Sequence, residues 1–581
     1  MSHSPVSLSK PSTARSERGD ETTRHLCAGV YHDPEFRDLV IRDVLTDPVH
    51  RAAPSYGFDL VAVADHAWRA WTLETAQHAC TLSLLVIAFA GNVPVAVTVI
   101  CGLALWGLAI PTLRLALQVV HLKTRTAVAA LLRRYKTTGE LELDNELKER
   151  VWWFKLGLVC CALALVLPVV AAGSANVPLG RTLLWAAIFL ALMGLVTSVS
   201  AVLRHRRLIR VRRAGTLRPP RLTRRQRAIH AQQTHPVAVY RRPEPRDEDA
   251  LRLPYDPDDE PSFFVGSGKL VHRWLPPLSV QLLRAKSEPS VNGLDGSGGT
   301  QREFVRPPFA AHELVDHLKH EMKPIGRADD PIRLPGYHVL DRVYVAEPDL
   351  PGARDLMAHS CDRSRLRQLI DEPYRAAQHF LEIRATSSGE LVVTVFLRVT
   401  VKGRSLSLDF AACALTRTPP AYQRPVRTGR AAVTRTALTG LRTLPIEMVR
   451  SWRMVKAPWV LLRMACTSLW PRELEPVRGT LMSIREEKSV PWRQSDFDLP
   501  VILDHMKIVE LRLLKATKDF LTTHQVDTST FDKRAETIIS ASVLNMGGHM
   551  NINDSAVGGN AQINQHAVVP HGTGNAAPQG A

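Results

Sequence analysis

Two long apolar blocks dominate the pattern of hydrophobic and polar positions. The first runs from about Ala79 to Leu113 without a charged side chain and reads LSLLVIAFAGNVPVAVTVICGLALWGLAIP through its centre. The second starts at Trp152 and ends near Leu203, interrupted around 172–181. An uncharged apolar run beyond about 18 residues marks a membrane span, because a helix needs roughly 20 residues to cross the hydrocarbon. Each block is long enough for two. Gly91-Asn92-Val93-Pro94 divides the first, and Gly173-Ser174-Ala175-Asn176-Val177-Pro178 divides the second. Gly and Asn tolerate positive φ, and Pro cannot continue the helix ladder, so both stretches are turn chemistry. The pattern predicts four transmembrane helices in two hairpins, over about 75–92, 94–118, 152–172 and 179–203. The rival arrangement is a single long first span, which would place residues 1–74 on the opposite side.

Orientation follows from the cations beside the helix ends. The loop 119–151 and its borders carry Arg114, Lys123, Arg125, Arg133, Arg134, Lys136, Lys148, Arg150 and Lys155. Arg204, Arg206, Arg207, Arg210, Arg212 and Arg213 follow the last helix, whereas the two short turns hold only Arg181. Both termini and the central loop are therefore expected in the cytoplasm, and the protein in the cell inner (plasma) membrane as a multi-pass chain. Trp68, Trp71, Trp152 and Trp153 fit an interfacial belt, and His66 reads as an interfacial residue beside them.

The periodicity changes outside the blocks. Residues 1–74 read as a disordered start followed by a small helical cap, in which Phe36, Leu39, Val40, Val44 and Leu45 recur at helical spacing. Residues 204–300 read as a basic flank with Pro/acid-rich and Gly/Ser-rich linkers. From 301 to 425 the pattern is that of a cytoplasmic α+β domain with an antiparallel sheet. His312–Lys323 and Arg363–Phe380 are helix candidates, although Pro373 can break the second. Tyr337–Glu347, Phe380–Thr386, Leu391–Val401 and Arg404–Leu415 are strand candidates. In the last of these, Leu406, Leu408, Phe410 and Ala412 alternate with polar or small residues at period two. Lys402-Gly403 suits the hairpin turn between the final pair.

Residues 426–472 form a basic, Trp-rich amphipathic segment with Glu447 as its lone acid, broken by Pro445 and Pro458. A basic face, an apolar face and Trp together describe a helix lying in the lipid headgroup layer. The alternative is a basic helix packed on the strands. The membrane-surface residues expected to meet anionic lipid headgroups are Arg204, Arg206, Arg207 and Arg210 at the exit of the last helix. In the later segment they are Arg442, Arg450, Trp452, Arg453 and Trp459. Residues 473–544 are helical, with a strong amphipathic stretch at Asp498–His524. The Gly/Asn-rich polar tail, 545–581, repeats GG-x-x-[NQ]-I-N at Gly547 and Gly558, a pattern compatible with self-association.

The formal net charge is +18, from 74 Lys and Arg against 56 Asp and Glu. Much of that excess flanks the spans, where topology and anionic lipid account for it, so nucleic acid is not an expected partner. The eight cysteines (Cys27, Cys80, Cys101, Cys160, Cys161, Cys361, Cys413 and Cys466) include no CxxC pair, so neither a disulfide framework nor a zinc site is expected. Gly266-Ser267-Gly268-Lys269 lacks the spacing and hydroxyl of a phosphate loop, and His312-Glu313 with His317 is one residue too long for a metalloprotease helix. No catalytic residue, metal site or cofactor is expected.

The stretch FLTTHQVDTSTFDKRAETI (Phe520–Ile538), taken with the four-span plan and the Gly/Asn tail, resembles uncharacterised multi-pass membrane proteins of high-GC Gram-positive bacteria. The resemblance implies a membrane-anchored organisation and brings no activity or site residue. The expectation is a non-enzymatic integral membrane protein anchoring a partner-binding or signalling domain, as a possible homo-oligomer. The alternative is a self-associating pore-forming or membrane-disrupting effector.

Overall fold

The computed structural model describes residues 19–131, 138–214, 216–241, 264–285, 303–327, 329–353, 356, 362–372, 375–387, 389–469, 478–480, 482–492, 495 and 497–546. The tail repeat and the first 18 residues lie outside them.

The chain opens with helices α1 (Gly19–His32) and α2 (Pro34–Leu39), the latter capped by Asp33, whose carboxylate accepts the amides of Glu35 and Phe36 at 3.0 and 3.1 Å. The helical cap thus begins at Gly19, ahead of the helical spacing seen from Phe36 to Leu45. Leu26, Cys27 and Val30 are buried one turn apart, a stripe too narrow to stand out from its polar neighbours. A π turn over Val40–Leu45 leads to α3 (Leu60–Gly91), whose start is fixed by Asp59 accepting the amide of Val61.

Among the described residues four helices are long and apolar enough to cross a membrane: α3, α4 (Val93–Leu131), α5 (Thr138–Ser174) and α6 (Leu179–Arg213). They form two hairpins whose turns fall at Asn92 and at residues 175–178. Each helix outruns its apolar block on the basic side, because the Leu, Arg, Lys and Glu there are good helix formers with nothing to stop them. At 32 residues α3 is ~48 Å long. Most of its first third, Leu60 to Ala70, is buried against α1 and the π turn, so one rod serves both the cap and the apolar bundle. Ala88 of α3, Val95, Ala96, Val99 and Leu103 of α4, and Ala186 and Met193 of α6 share a buried core, while α5 lies along α4.

The stretch read as flank and linkers contains α7 (Arg224–Gln233), with a Thr223/Gln226 capping box, and strands β1 (Val237–Tyr240), β2 (Lys269–Arg273) and β3 (Leu278–Gln281). These strands are four or five residues long and bordered by Pro236, Pro276 and Pro277, so local pattern hides them. They form because longer strands offer open edges. Those are β4 (His338–Ala346), β5 (Ala377–Ser387), β6 (Leu391–Lys402) and β7 (Ser405–Leu415). The sheet order is β1-β4-β5-β6-β7-β2, with β3 also on β7. The β1–β4 pair is parallel and the others antiparallel, so the expected antiparallel sheet is met in all but its β1 edge, which makes the whole sheet mixed. A parallel pair needs a crossover, and helix α8 (Ala311–Met322) lies within the connection from β1 to β4.

Strand alternation divides the sheet into two faces. Leu381, Ile383, Val395, Leu397, Leu408 and Phe410 pack under α8, α9 (Arg363–Asp371) and two later helices, as part of the largest core. On the other face Tyr344, Phe380 and Phe396 close around Phe264, whose ring stacks on Phe396 at 4.0 Å, with Tyr56 of the cap above them. The cap is therefore fastened to the sheet by buried aromatics. After β7 come α10 (Arg430–Arg442), α11 (Leu444–Arg450), a 3₁₀ turn over Ser451–Lys456 and α12 (Ala457–Leu469). Next are α13 (Leu499–Thr523) and α14 (Ser529–Met546), which complete the large core.

Candidate membrane-proximal site

The segment 430–450 neither lies flat beside the apolar bundle nor packs on the strands. It forms a helical hairpin that enters the bundle between α3, α4 and α6. Helix α10 runs antiparallel to α6 at very short range. A Cβ placed on Gly440 would meet the Thr197 carbonyl oxygen at 2.9 Å and Ala201 Cβ at 2.8 Å, so glycine sets the approach. The Ser198 hydroxyl donates to the Ala437 carbonyl at 3.1 Å. At the tip Thr443 ends α10 and Pro445 opens α11, where the missing amide costs no helix bond. Leu444 between them is 0 % exposed, enclosed by the residues of the bundle core, and Pro445 packs over Gly107.

One turn later Glu447 brings a carboxylate into this setting. Its Oε2 accepts from Gln77 Nε2 at 3.2 Å and lies 3.3 Å from His78 Nε2, while Arg450 Nη1 is 3.4 Å from Oε1. Arg204 Nη2 completes the group by donating to Gln77 Oε1 at 2.6 Å. A largely enclosed carboxylate of this kind is held by the hydrogen bonds of the cluster. Ala79–Leu113, Leu156–Ala172 and Thr182–Leu203 carry no charged side chain, and the polar centre of the bundle arrives from a segment 369 positions away. The traces in the sequence are Gln77-His78, just before the charge-free run, and the lone acid of a basic stretch.

Beside the hairpin lies a cavity of about 780 Å³. One wall is α2 and the π turn, with Glu35, Arg37, Asp38 and Arg42; another is α3, with Trp71, Glu74 and His78. The third is the chain from Trp452 to Arg463. Arg37 pairs with Glu74, and Arg42 with Asp43 at 2.7 Å. Lys456 Nζ stands 5.6 Å from the Trp452 ring and the Arg463 guanidinium 5.5 Å from the Trp459 ring, at cation–π distance. Of the nine anticipated membrane-surface residues, the structure gathers Trp452, Arg453 and Trp459 in this cavity. Arg450 and Arg442 are exposed on the hairpin, Arg206, Arg207 and Arg210 are exposed at the exit of α6, and Arg204 is engaged by Gln77. A second cleft of about 510 Å³ opens at the hairpin turns, lined by Asn92, Asn176, Arg181, Thr182 and Trp185 and floored by Ala88 and Val95.

The sheet domain contains closed polar networks. Arg342 Nε and Arg384 Nη2 donate to Glu382 at 2.7 and 2.5 Å, and the Tyr56 hydroxyl adds a third bond at 3.2 Å. Burial alone would push the Glu382 carboxyl up, but the two guanidinium groups outweigh it and hold it at about 2. Gly266 and Gly268, both at φ +97°, aim their amides at Glu486 Oε1 at 2.8 and 2.7 Å. The Gly-Ser-Gly loop therefore is an anion-binding nest, and the chain's own carboxylate fills it. Burial pushes that carboxyl up to about 7 against the two amides. His66 is buried, 3.2 Å from the Tyr31 hydroxyl, and Trp68 stacks on Trp71 inside the cap. No group of three or more His, Cys, Asp or Glu is placed to hold a metal among the described residues.

Residues 277–553 match the family model of the AbeC-like domain, just under half of the chain. No curated protein and no solved structure matches it. The matched span includes β3 to β7, the hairpin α10–α11 and Phe520–Ile538, while α3 to α6 lie outside it. The hairpin that enters the bundle thus falls within the same matched unit as the sheet.

Proposed function

We propose that this is a multi-pass protein of the plasma (inner) membrane, with both termini in the cytoplasm, whose sheet domain binds a partner or reports a signal without catalysing a reaction. The observation that carries this reading is the seating of Leu444 and Glu447 inside the bundle. A domain merely tethered to its anchor would not commit a buried leucine and a carboxylate to it. The segment follows β7 in the chain through residues 416–429 and contacts α3, α4 and α6, so it links the sheet to the bundle. That is the mechanical requirement for passing a binding event across the membrane interface. Arg206, Arg207, Arg210 and the cations of the α4–α5 connection support the orientation, since positive residues gather on the cytoplasmic side.

The test is hydrogen exchange on the full chain in detergent or nanodiscs. Glu447→Ala should raise exchange both in α10–α11 and at the end of β7. An effect confined to the hairpin would leave a passive anchor in its place. Topology is checked separately with Ser174→Cys in a cysteine-free background. An impermeant maleimide should label it from outside intact cells, and labelling of Arg206→Cys instead would reverse the orientation.

A second reading, a passive pore, draws on the outer cleft. It shares Ala88 and Val95 with the collar that Leu444 closes.

A further inference from the structure

We infer that the 780 Å³ cavity between α2, α3 and Trp452–Arg463 holds the headgroup of one anionic glycerophospholipid, its phosphodiester facing Arg453 and its acyl chains lying along α11 and α12. The inference rests on the membrane reading above and deepens it from a general surface attraction to a single site.

Three cations of the cavity make no salt bridge among the described residues, although the charge of Arg453 acts on Asp38 across the space. Arg37 and Arg42 are engaged by Glu74 and Asp43, but Arg453, Lys456 and Arg463 form no ion pair among the described residues. Arg453 goes further: its Nη1 is shut off from solvent and has no hydrogen-bond partner. An enclosed guanidinium donor left unmet is unfavourable, and a phosphate oxygen is the acceptor its fork geometry suits. Lys456 and Arg463 stand over Trp452 and Trp459, which fixes two long, otherwise mobile side chains at the mouth. Glu35 and Asp38 stand on the opposite wall, and Asp38 is already held by Arg37. The free cations outnumber these carboxylates, which remain as acceptors for headgroup hydroxyls.

The occupant is a lipid and not a soluble phosphate because of what borders the mouth. Val455 is 81 % exposed, Trp452 60 % and Trp459 59 %, and Ile446, Val449, Leu461 and Leu462 are exposed around them. An aqueous anion has no use for such a surface, while two acyl chains would cover it. The volume suits one headgroup with its glycerol, within the roughly 300–1,000 Å³ common for ligand sites.

The experiment uses the full chain in nanodiscs of phosphatidylglycerol or of phosphatidylcholine, read by native mass spectrometry after mild delipidation and by thermal unfolding. One phosphatidylglycerol should remain bound and raise the Tm, with phosphatidylcholine removed. The double variant Arg453→Gln/Lys456→Gln should lose retention roughly tenfold or more. Lys515→Gln/Arg534→Gln, exposed on α13 and α14 and outside the cavity, should keep it, and Arg453→Lys should recover part. Equal retention of both lipids by the native chain overturns the site even if the double variant fails to fold. Stabilisation by soluble glycerol phosphate equal to that by the lipid overturns the choice of occupant. Release of the native chain from membranes by alkaline carbonate would instead sink the underlying membrane reading, a different failure from insertion without lipid preference.

Discussion

The carboxylate of Glu447 lies 3.3 Å from the imidazole of His78, although 369 positions separate them in the chain. His78 is 3 % exposed and sits where α3 passes from the cap into the apolar bundle. This pair, with Gln77 and Arg204 around it, is the polar keystone between the sheet domain and the four apolar helices. Removing this carboxylate leaves the hydrogen-bonding groups of Gln77 and His78 unmet, which typically costs about 1–3 kcal/mol. Glu447→Ala is therefore expected to lower the Tm strongly. Glu447→Gln, which keeps an acceptor for Gln77, should recover about half the loss. Equal melting of both variants and the native chain would show that the cluster contributes nothing to docking.

The approach of α10 to α6 gives a steric prediction. Gly440→Val places branched carbons against the Thr197 carbonyl and Ala201, and overpacking of this kind costs roughly 1–3 kcal/mol or displaces the helix. Proteolysis in the segment before α10, around Gln423–Gly429, should accelerate. Gly91→Ala meets nothing within 4 Å and serves as the matched control. Indistinguishable digestion of the two would mean that α10 is not held where its glycine implies.

Two carboxylates of the sheet domain give opposite pH dependences. Glu382 titrates at about 2 when folded, below its unfolded value of about 4.3. Its contribution is complete above that unfolded value and is lost as pH falls toward 2. Glu486 is raised from 4.5 to about 7 by burial. Its contribution is present below 4.5 and is lost as pH rises through 7. The full chain should thus lose stability from pH 5 to 7 by at most about 3 kcal/mol through Glu486. Glu486→Gln keeps an acceptor for the Gly266 and Gly268 amides and should flatten that slope. An unchanged slope would assign it to other groups.

The legible parts of the fold share a cause. The four apolar helices and their turns, and strands β5 to β7, carry periodic patterns that need no partner to be recognised: Leu406 to Ala412 alternate whatever they face. The missed parts are those whose conformation is chosen by something distant. Strands β1 to β3 exist because β4 and β7 offer edges, and α1 because Tyr422 and α3 cover Leu26 and Val30. Residues 430–450 show the limit best. Their amphipathicity was visible, but not that Gly440 and Leu444 belong to a site inside the bundle. A small residue and an apolar tip read the same at a lipid surface and between helices. The cavity's three cations were legible as a basic run, whereas the wall of α2 and the π turn that makes them a pocket was not.

Leu444 separates the two functional readings. It closes the core formed by Ala88, Val95, Val99 and Met193, above which the 510 Å³ cleft opens with Asn92, Arg181 and Thr182. If the bundle is an anchor, Leu444→Ser creates a cavity with a hydroxyl in it and acts on stability alone, by roughly 2–5 kcal/mol. If it is a passive conduit, the same change removes the stopper between the cleft and the Glu447 cluster, and ions follow the water. Vesicles loaded with a self-quenching dye and, separately, with a potassium-sensitive probe distinguish these. The expected outcome is a tight native protein and a tight, less stable Leu444→Ser. Potassium flux through the variant, with the dye retained, would instead favour a narrow conduit gated by the hairpin tip, and would make the sheet domain its regulator.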